Sequence, residues 1–444
     1  MALQNTYISG DADWINFEAI VSTSPDQIAM TPGKLQQEWE EDGQKYYHYK
    51  MQSKMLNFYA IISARYETYE DNWNGIPITI YYHKGHDYNL ERMMKGAQDA
   101  LAYCTEEFSP YQHDQLRILE FPIVGGGFAQ SFANTVPFSE GIGFIADVDD
   151  EDDGVDYPFA ITAHEVAHQW WAHQVIGAKV QGATVMSESL SEYVSLKVLE
   201  KTHGPEQMRT FLKSALDAYL LGRTVERKKE QPLAYVENQQ HIHYNKGSLV
   251  FYALSDYIGE SNLNAALSRY VDSVAFQEAP YTTCLELLDF LYEATPDSLD
   301  YFIEDNFEHI TVYNNRVTDN SYKELSDGNY EVSISAEVVK YRADDKGNRI
   351  YKSAQGDSLL IQKEGEKRPT QSYPLADFVE VGVFGLDDEG EEEVLYLQKH
   401  KITDIVNDFK IIVDKEPSEV GIDPYNKLID TNSEDNRRKA KLID

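Results

Sequence analysis

Apolar and polar positions alternate along residues 14 to 67 in short stretches such as WINFEAIV and LNFYAIISARYE, the period-two pattern of half-buried strands. A strand-rich first lobe follows. From Ile76 the pattern reads strand (IPITIYYH), helix (about Asn89 to Glu107) and strand (LRILEFPIV), an α/β layer ahead of the Gly125 to Gly127 run. Between about Tyr157 and Phe307 apolar residues recur at spacings of three and four, with stop signals at His203-Gly204-Pro205 and Gly259-Glu260-Ser261. Helices take over there. After Asn306 alternation returns (YEVSISAEVV, VEVGVFGL, DFKIIV), punctuated by Asp-Gly and Asp-Lys-Gly turns. The expected class is α+β and multidomain: an N-terminal β lobe over 1–70, an α/β layer with a helical lobe over 71–310, and a β-sandwich over 311–444.

Charge narrows the partners. Against 75 acidic side chains stand only 39 basic ones, a formal net charge of -36 in 444 residues. Such a surface repels phosphate backbones, which excludes nucleic acid. No uninterrupted apolar run approaches the roughly 18 residues of a membrane span. The start, MALQNTYISGDADW, lacks the basic, apolar and small-residue parts of a secretory signal. Cys104 and Cys284, 180 positions apart in amphipathic segments, read as free core thiols, so the redox compartment stays open.

The chemistry concentrates in ITAHEVAHQWWAHQVIGAKVQGATVMSESLSEY, residues 161–193. His164 and His168 lie four apart, so on a helix they project from one face and can share one Zn²⁺. Glu165 is rotated by about 100° from His164, outside the ligand pair but beside an open metal position, where a general base belongs. Asp156 can cap this helix, Pro158 fits its first turn, and Phe159, Ala163, Val166, Ala167 and Trp170 form its core stripe. A catalytic zinc takes three protein ligands and leaves a place for water. Glu188, 20 positions after His168 at the opening of the next predicted helix, is the candidate third ligand. The competing reading of HExxH alone is two buried histidines on an ordinary helix.

This region resembles the gluzincin metallopeptidases, and within them the aminopeptidase N family, through HEVAHQWW followed by Glu188 and Tyr193 five positions later. The resemblance implies a thermolysin-like catalytic domain binding one zinc ion and a peptide substrate cut at its N-terminal bond. IHYNKGSLVFYAL, residues 242–254, is similar to the family's Tyr-x-Lys-Gly helix and carries over Tyr244 as the phenol that stabilises the tetrahedral intermediate. The family's Gly-x-Met-Glu-Asn strand corresponds to NTVPFSEGIGF, residues 134–144, where only Glu140 survives, with Ser139 and Gly141 in place of Met and Asn. Glu140 is thereby the expected anchor for the substrate's free amine.

Two departures keep a thermolysin-like endopeptidase as an alternative: the 19 residues between His168 and Glu188, and Ala172-His173 where Gly-Asn is common. QGATVMSESLSEY, VENQQHIHYNKGSLV and GIDPYNKLID are most similar to aminopeptidase-like domains that follow multi-spanning transporter-permease regions in bacterial proteins. That resemblance implies a soluble domain tethered to a bacterial membrane, a partial N-terminal lobe, and the transporter region of the same full-length protein as partner. It also admits a catalytically weak peptide-binding module.

Three other features carry weaker readings. Glu192, one turn beyond Glu188, either orients a zinc histidine or closes a capping box with Ser189. The acidic run at 147–156 half matches a Ca²⁺ loop through Asp149, Glu151, Asp153 and Gly154, but position 12 is Ala160. His241 and His243 flank Tyr244 without metal-ligand spacing, and Gly125 to Gly127 form no nucleotide motif.

Overall fold

The computed structural model describes residues 2–148, 155–352, 359–362 and 373–443. It divides into two compact units: Met1–Thr210 with Val236–Asn238 and Ile258–Thr295, and Phe211–Tyr235 with Gln239–Tyr257 and Pro296–Asp444. The positions proposed for a calcium loop, Asp149, Glu151, Asp153 and Gly154, lie outside the described residues.

The first unit opens with an antiparallel sheet ordered Glu18–Thr23, Gln44–Lys50, Lys34–Glu41. Its alternation buries Val21, Tyr47 and Tyr49 against Ala29, Met30 and Leu119. Leu119 belongs to the next layer, a four-stranded sheet in the order Thr135–Ser139, Leu116–Phe121, Ile76–Tyr82, Glu67–Trp73. The first three strands run parallel, with Ile118 opposite both Val136 and Ile80. The fourth is antiparallel. LRILEF is buried at its first five positions, with Leu116, Ile118 and Leu119 in the core and the buried Arg117 and Glu120 satisfied by hydrogen bonds, Arg117 donating to the Thr31 carbonyl and to Thr135 Oγ1 and Glu120 accepting from the His83 N–H.

Helix α1 (Leu90–Glu107) makes the crossover between the strands Ile76–Tyr82 and Leu116–Phe121, and Met93, Met94, Ala97, Ala100 and Leu101 form its buried stripe. It packs on α2 (Tyr157–Ala167) and on α3 (Leu190–His203). The approach to α2 is close: a Cβ at Gly96 would stand 2.7 Å from the Phe159 carbonyl oxygen. Cys104 and Cys284 are free and buried, as the spacing implies.

Among the described residues, the second unit carries three sheets after residue 310. A three-stranded sheet pairs Tyr330–Glu337 with Arg316–Glu324 and Val406–Val413. A four-stranded sheet runs Glu392–Ile402, Asp377–Leu386, Glu419–Ile422, Arg437–Lys439, with the Asp377–Leu386 strand buried nearly throughout. A third begins at Thr311–Tyr313, paired with Lys340–Ala343. Lys340 is buried yet satisfied, donating to Asp305 at 2.9 Å and Asp377 at 2.8 Å. Among the described residues no helix is long and apolar enough to cross a membrane.

Candidate metal centre and active site

Helix α2 begins as its sequence dictates. The Asp156 carboxylate accepts from the Phe159 N–H at 3.2 Å, and Arg92 donates to the same carboxylate at 2.7 Å. The helix ends earlier than its apolar stripe suggests: Ala167 is its last residue and His168 its C-cap. Trp170 lies in the following turn, fully buried, with its indole N–H donating to the Ser109 carbonyl. His168 keeps helical dihedrals, so the four-residue relation to His164 survives the helix end.

Glu188 stands in a π-helical turn, Val185–Ser189, that leads into α3. Such turns insert one residue into a helix and recur at functional sites. The turn brings Glu188 Oε2 to 3.3 Å from His168 Nε2 and 3.5 Å from His164 Nε2. All three ligand-capable atoms fall within 4.8 Å of one another. The rings stand edge to face, with centroids 4.6 Å apart. Glu188 Oε2 is a buried carboxylate oxygen that accepts no hydrogen bond, the condition a bound cation would relieve.

The opposite ring nitrogens are held. His168 Nδ1 lies 2.9 Å from the Trp171 carbonyl and 3.0 Å from Ser191 Oγ. A proton on Nδ1 directed at that carbonyl leaves the Nε2 lone pair facing Glu188. His164 Nδ1 lies 3.1 Å from Glu192 Oε1. Of the two roles open to Glu192, the structure favours orientation of a histidine, since Ser189 makes no side-chain cap bond.

Burial opposes charge throughout this cluster. The Glu192 and Glu188 carboxylates outweigh it at His164 and hold that imidazole well above its usual range; at His168 Glu188 outweighs burial and raises the imidazole above its usual value. Burial is likewise outweighed at Glu188, where the two rings hold the carboxyl well below the usual range. Glu165 is different: burial pushes its carboxyl up, because the neighbouring histidines compensate only in part. Its Oε2 is buried without a hydrogen-bond partner, and its backbone carbonyl accepts from Ser131 Oγ at 2.8 Å.

A cavity of about 640 Å³ opens beside the cluster, lined by His168, Glu188, Ser131, His173 and Tyr7 among others. Burial pushes the His173 imidazole down to about 4, so it is neutral, and its Nε2 lies 3.0 Å from the Ser131 carbonyl. Burial first, then the Glu188 carboxylate, keeps the Tyr7 phenol protonated. Gln169 ties the floor together, donating to Ser131 Oγ at 2.7 Å and the Phe132 carbonyl at 2.9 Å while accepting from the Asn134 N–H at 2.9 Å. Nothing in the sequence singles out Gln169, Ser131 or Tyr7, because their partners are backbone atoms or residues far along the chain.

The other two expected residues stand as follows. Glu140 sits on a short 3₁₀ turn after the Thr135–Ser139 strand. Its Oε1 accepts from the Ile123 N–H at 2.9 Å, and its Oε2 lies 3.8 Å from His86 Nδ1. Tyr244 belongs to the second unit, in a π-helical turn, His241–Lys246, with its ring against His243. Lys246 of that turn is fully buried, which pushes its amine down to about 8.

Residues 145–306 match the Peptidase family M1 domain. The chain is similar to Probable aminopeptidase 1 of Sulfurisphaera tokodaii, 26% identical over 194 residues, 41% of this chain and 24% of that protein. Tricorn protease-interacting factor F2 of Thermoplasma volcanium is 26% identical over 180 residues, 38% of this chain and 22% of that one. Endoplasmic reticulum aminopeptidase 2 of Homo sapiens is 22% identical over 125 residues, 27% and 13% of the two chains. Among solved structures, Legionella pneumophila aminopeptidase A in complex with aspartic acid superposes with a TM-score of 0.59 at 13% identity, covering 98% of this chain and 46% of that one. That likeness establishes the fold. The chain spans less than a quarter of the length of these curated relatives.

Proposed function

We propose that this chain, whose residues 145–306 match the Peptidase family M1 domain, is a zinc metalloaminopeptidase that hydrolyses the N-terminal bond of peptides. The observation that carries the reading is the convergence of His164, His168 and Glu188, each imidazole held from behind by Glu192 or the Trp171 carbonyl. Two nitrogens and one carboxylate oxygen, with a cavity on one side, suit a catalytic zinc. When bound, zinc lowers the pKa of a coordinated water and polarises the scissile carbonyl.

The chain's own residues do the rest. Glu165 accepts the water's proton during attack and delivers it to the leaving amine; a carboxyl raised by burial suits both halves of that transfer. Gln169 and Ser131 fix the backbone around Glu165. The resemblance assigns Tyr244 as the neutral donor to the developing oxyanion, a role worth about 3 to 4 kcal/mol where such donors have been removed elsewhere. It assigns Glu140 to the substrate ammonium.

The contacts of Glu140 with the Ile123 N–H and beside His86 favour a second reading, a thermolysin-like endopeptidase without an amine anchor. Amino-acid amides of a chromogenic amine, tested free and N-acetylated with and without a chelator, separate the two. Chelator-sensitive cleavage of free amides alone supports the aminopeptidase, and cleavage of blocked substrates selects the endopeptidase. Cleavage of neither overturns both in favour of a peptide-binding module. Membrane tethering through a transporter region of a longer protein belongs to the same proposal and rests on the resemblance of the segments around Gly182, Tyr244 and Tyr425.

A further inference from the structure

We propose that His83, His86 and Glu120 form a second zinc-type metal site, separate in its ligands from the His164 cluster and independent of whether the chain is a peptidase. Three neighbouring parallel strands end together here. The strand Ile76–Tyr82 runs directly into His83, Leu116–Phe121 carries Glu120 at its last turn of pleat, and Thr135–Ser139 runs into Glu140. The carboxyl ends of parallel strands are where open α/β sheets bind ligands.

Local geometry aims the donors at one point. His83-Lys84-Gly85-His86 closes a tight turn, with the His86 N–H donating to the His83 carbonyl at 2.9 Å and Gly85 at φ +85°. The turn folds both rings back over Glu120, which is fully buried. His83 Nδ1 lies 3.1 Å from Glu120 Oε2, and His86 Nδ1 pairs with Oε1. The carboxylate is fixed from below by the His83 N–H at 2.5 Å, while the Glu120 carbonyl accepts from the Tyr66 hydroxyl at 2.7 Å. The three ligand-capable atoms fall within 4.8 Å of one another, as in the His164 cluster. Tetrahedral zinc with bonds of about 2.0 to 2.1 Å places its ligands roughly 3.3 Å apart, so little movement would admit an ion.

Two features argue against a plain salt bridge. Two histidines and one carboxylate, gathered within the same 4.8 Å, repeat the donor types of the other cluster, and a lone buried carboxylate needs only one cationic partner. Both rings are also about a third exposed, which leaves an entry path and a place for water, with the Glu140 carboxylate 3.8 Å from His86 adding attraction for a cation.

The test is zinc content by mass spectrometry after equilibrating the whole chain against a zinc buffer. Wild type is expected to hold about two ions and the His83→Asn/His86→Asn variant about one. The His164→Ala/His168→Ala variant should retain about one ion that chelator removes reversibly. A folded His164→Ala/His168→Ala protein without zinc, or unchanged zinc in the folded His83→Asn/His86→Asn variant, overturns the proposal. Should either double variant fail to fold, the single His86→Asn substitution is read instead: a loss of about one ion relative to wild type supports the site, and no loss overturns it. Failure of the peptidase reading shows separately, as loss of the His164-dependent ion with the His83-dependent one intact.

Discussion

Glu192 Oε1 stands 3.1 Å from His164 Nδ1, on the side of the ring opposite the nitrogen that faces Glu188. The contact sets a carboxylate behind the ring, on the side away from Glu188. A carboxylate behind a zinc histidine raises its basicity, and loss of such partners typically costs 10- to 100-fold in metal affinity. Glu192→Gln is expected to weaken zinc binding by about tenfold, and Glu192→Ala by more, in a chelator competition assay. Unchanged affinity in both variants would return Glu192 to a helix-surface role.

Glu165 touches the reacting atoms in the proposed chemistry but not the ion. Glu165→Gln should therefore keep its zinc and lose at least about 100-fold in kcat, the lower end of general-base contributions. Measuring metal content and turnover on the same sample checks both halves.

Zinc uptake should release protons. Burial lowers the affinity of His164 and His168 for protons, but Glu192 and Glu188 more than restore it, so the metal-free rings lie above their ordinary range. A cation must displace those protons to reach the nitrogens. Binding accordingly strengthens as pH rises toward the raised imidazole values and weakens as pH falls below them. Calorimetry in buffers of different ionisation enthalpy should give about one to two protons released per ion at neutral pH. Zero release would mean the rings are already neutral.

Asp156 joins two stabilising contacts, the α2 cap and the ion pair with Arg92. Asp156→Ala is expected to cost about 1 to 2 kcal/mol, read from denaturant unfolding, while Asp156→Asn should recover the cap and most of that loss.

The sequence carried the parts of the site that obey local periodicity. HExxH places His164, Glu165 and His168 because helical spacing is a local rule, and Asp156 with Pro158 marks the helix start for the same reason. Other parts depend on register between distant strands. Glu120 meets His83 and His86 only because Leu119 pairs with Tyr81 in a parallel sheet, which no pattern within either strand encodes. Backbone partners are equally invisible, so the anchoring of His168 by the Trp171 carbonyl could not be foreseen. The π-helical turn around Glu188 leaves no mark either, since MSESLSEY is compatible with an unbroken helix.

Gly96 is where an engineer seeking a hardier protein would first try alanine, because a mid-helix glycine ordinarily forfeits about 1 kcal/mol. Here the usual ranking inverts. The added methyl would press on the peptide that precedes Ala160, push the histidine-bearing helix off its seat, and trade a gain in chain rigidity for a displaced His164–His168 pair. Attempts to toughen this scaffold are better aimed at other elements.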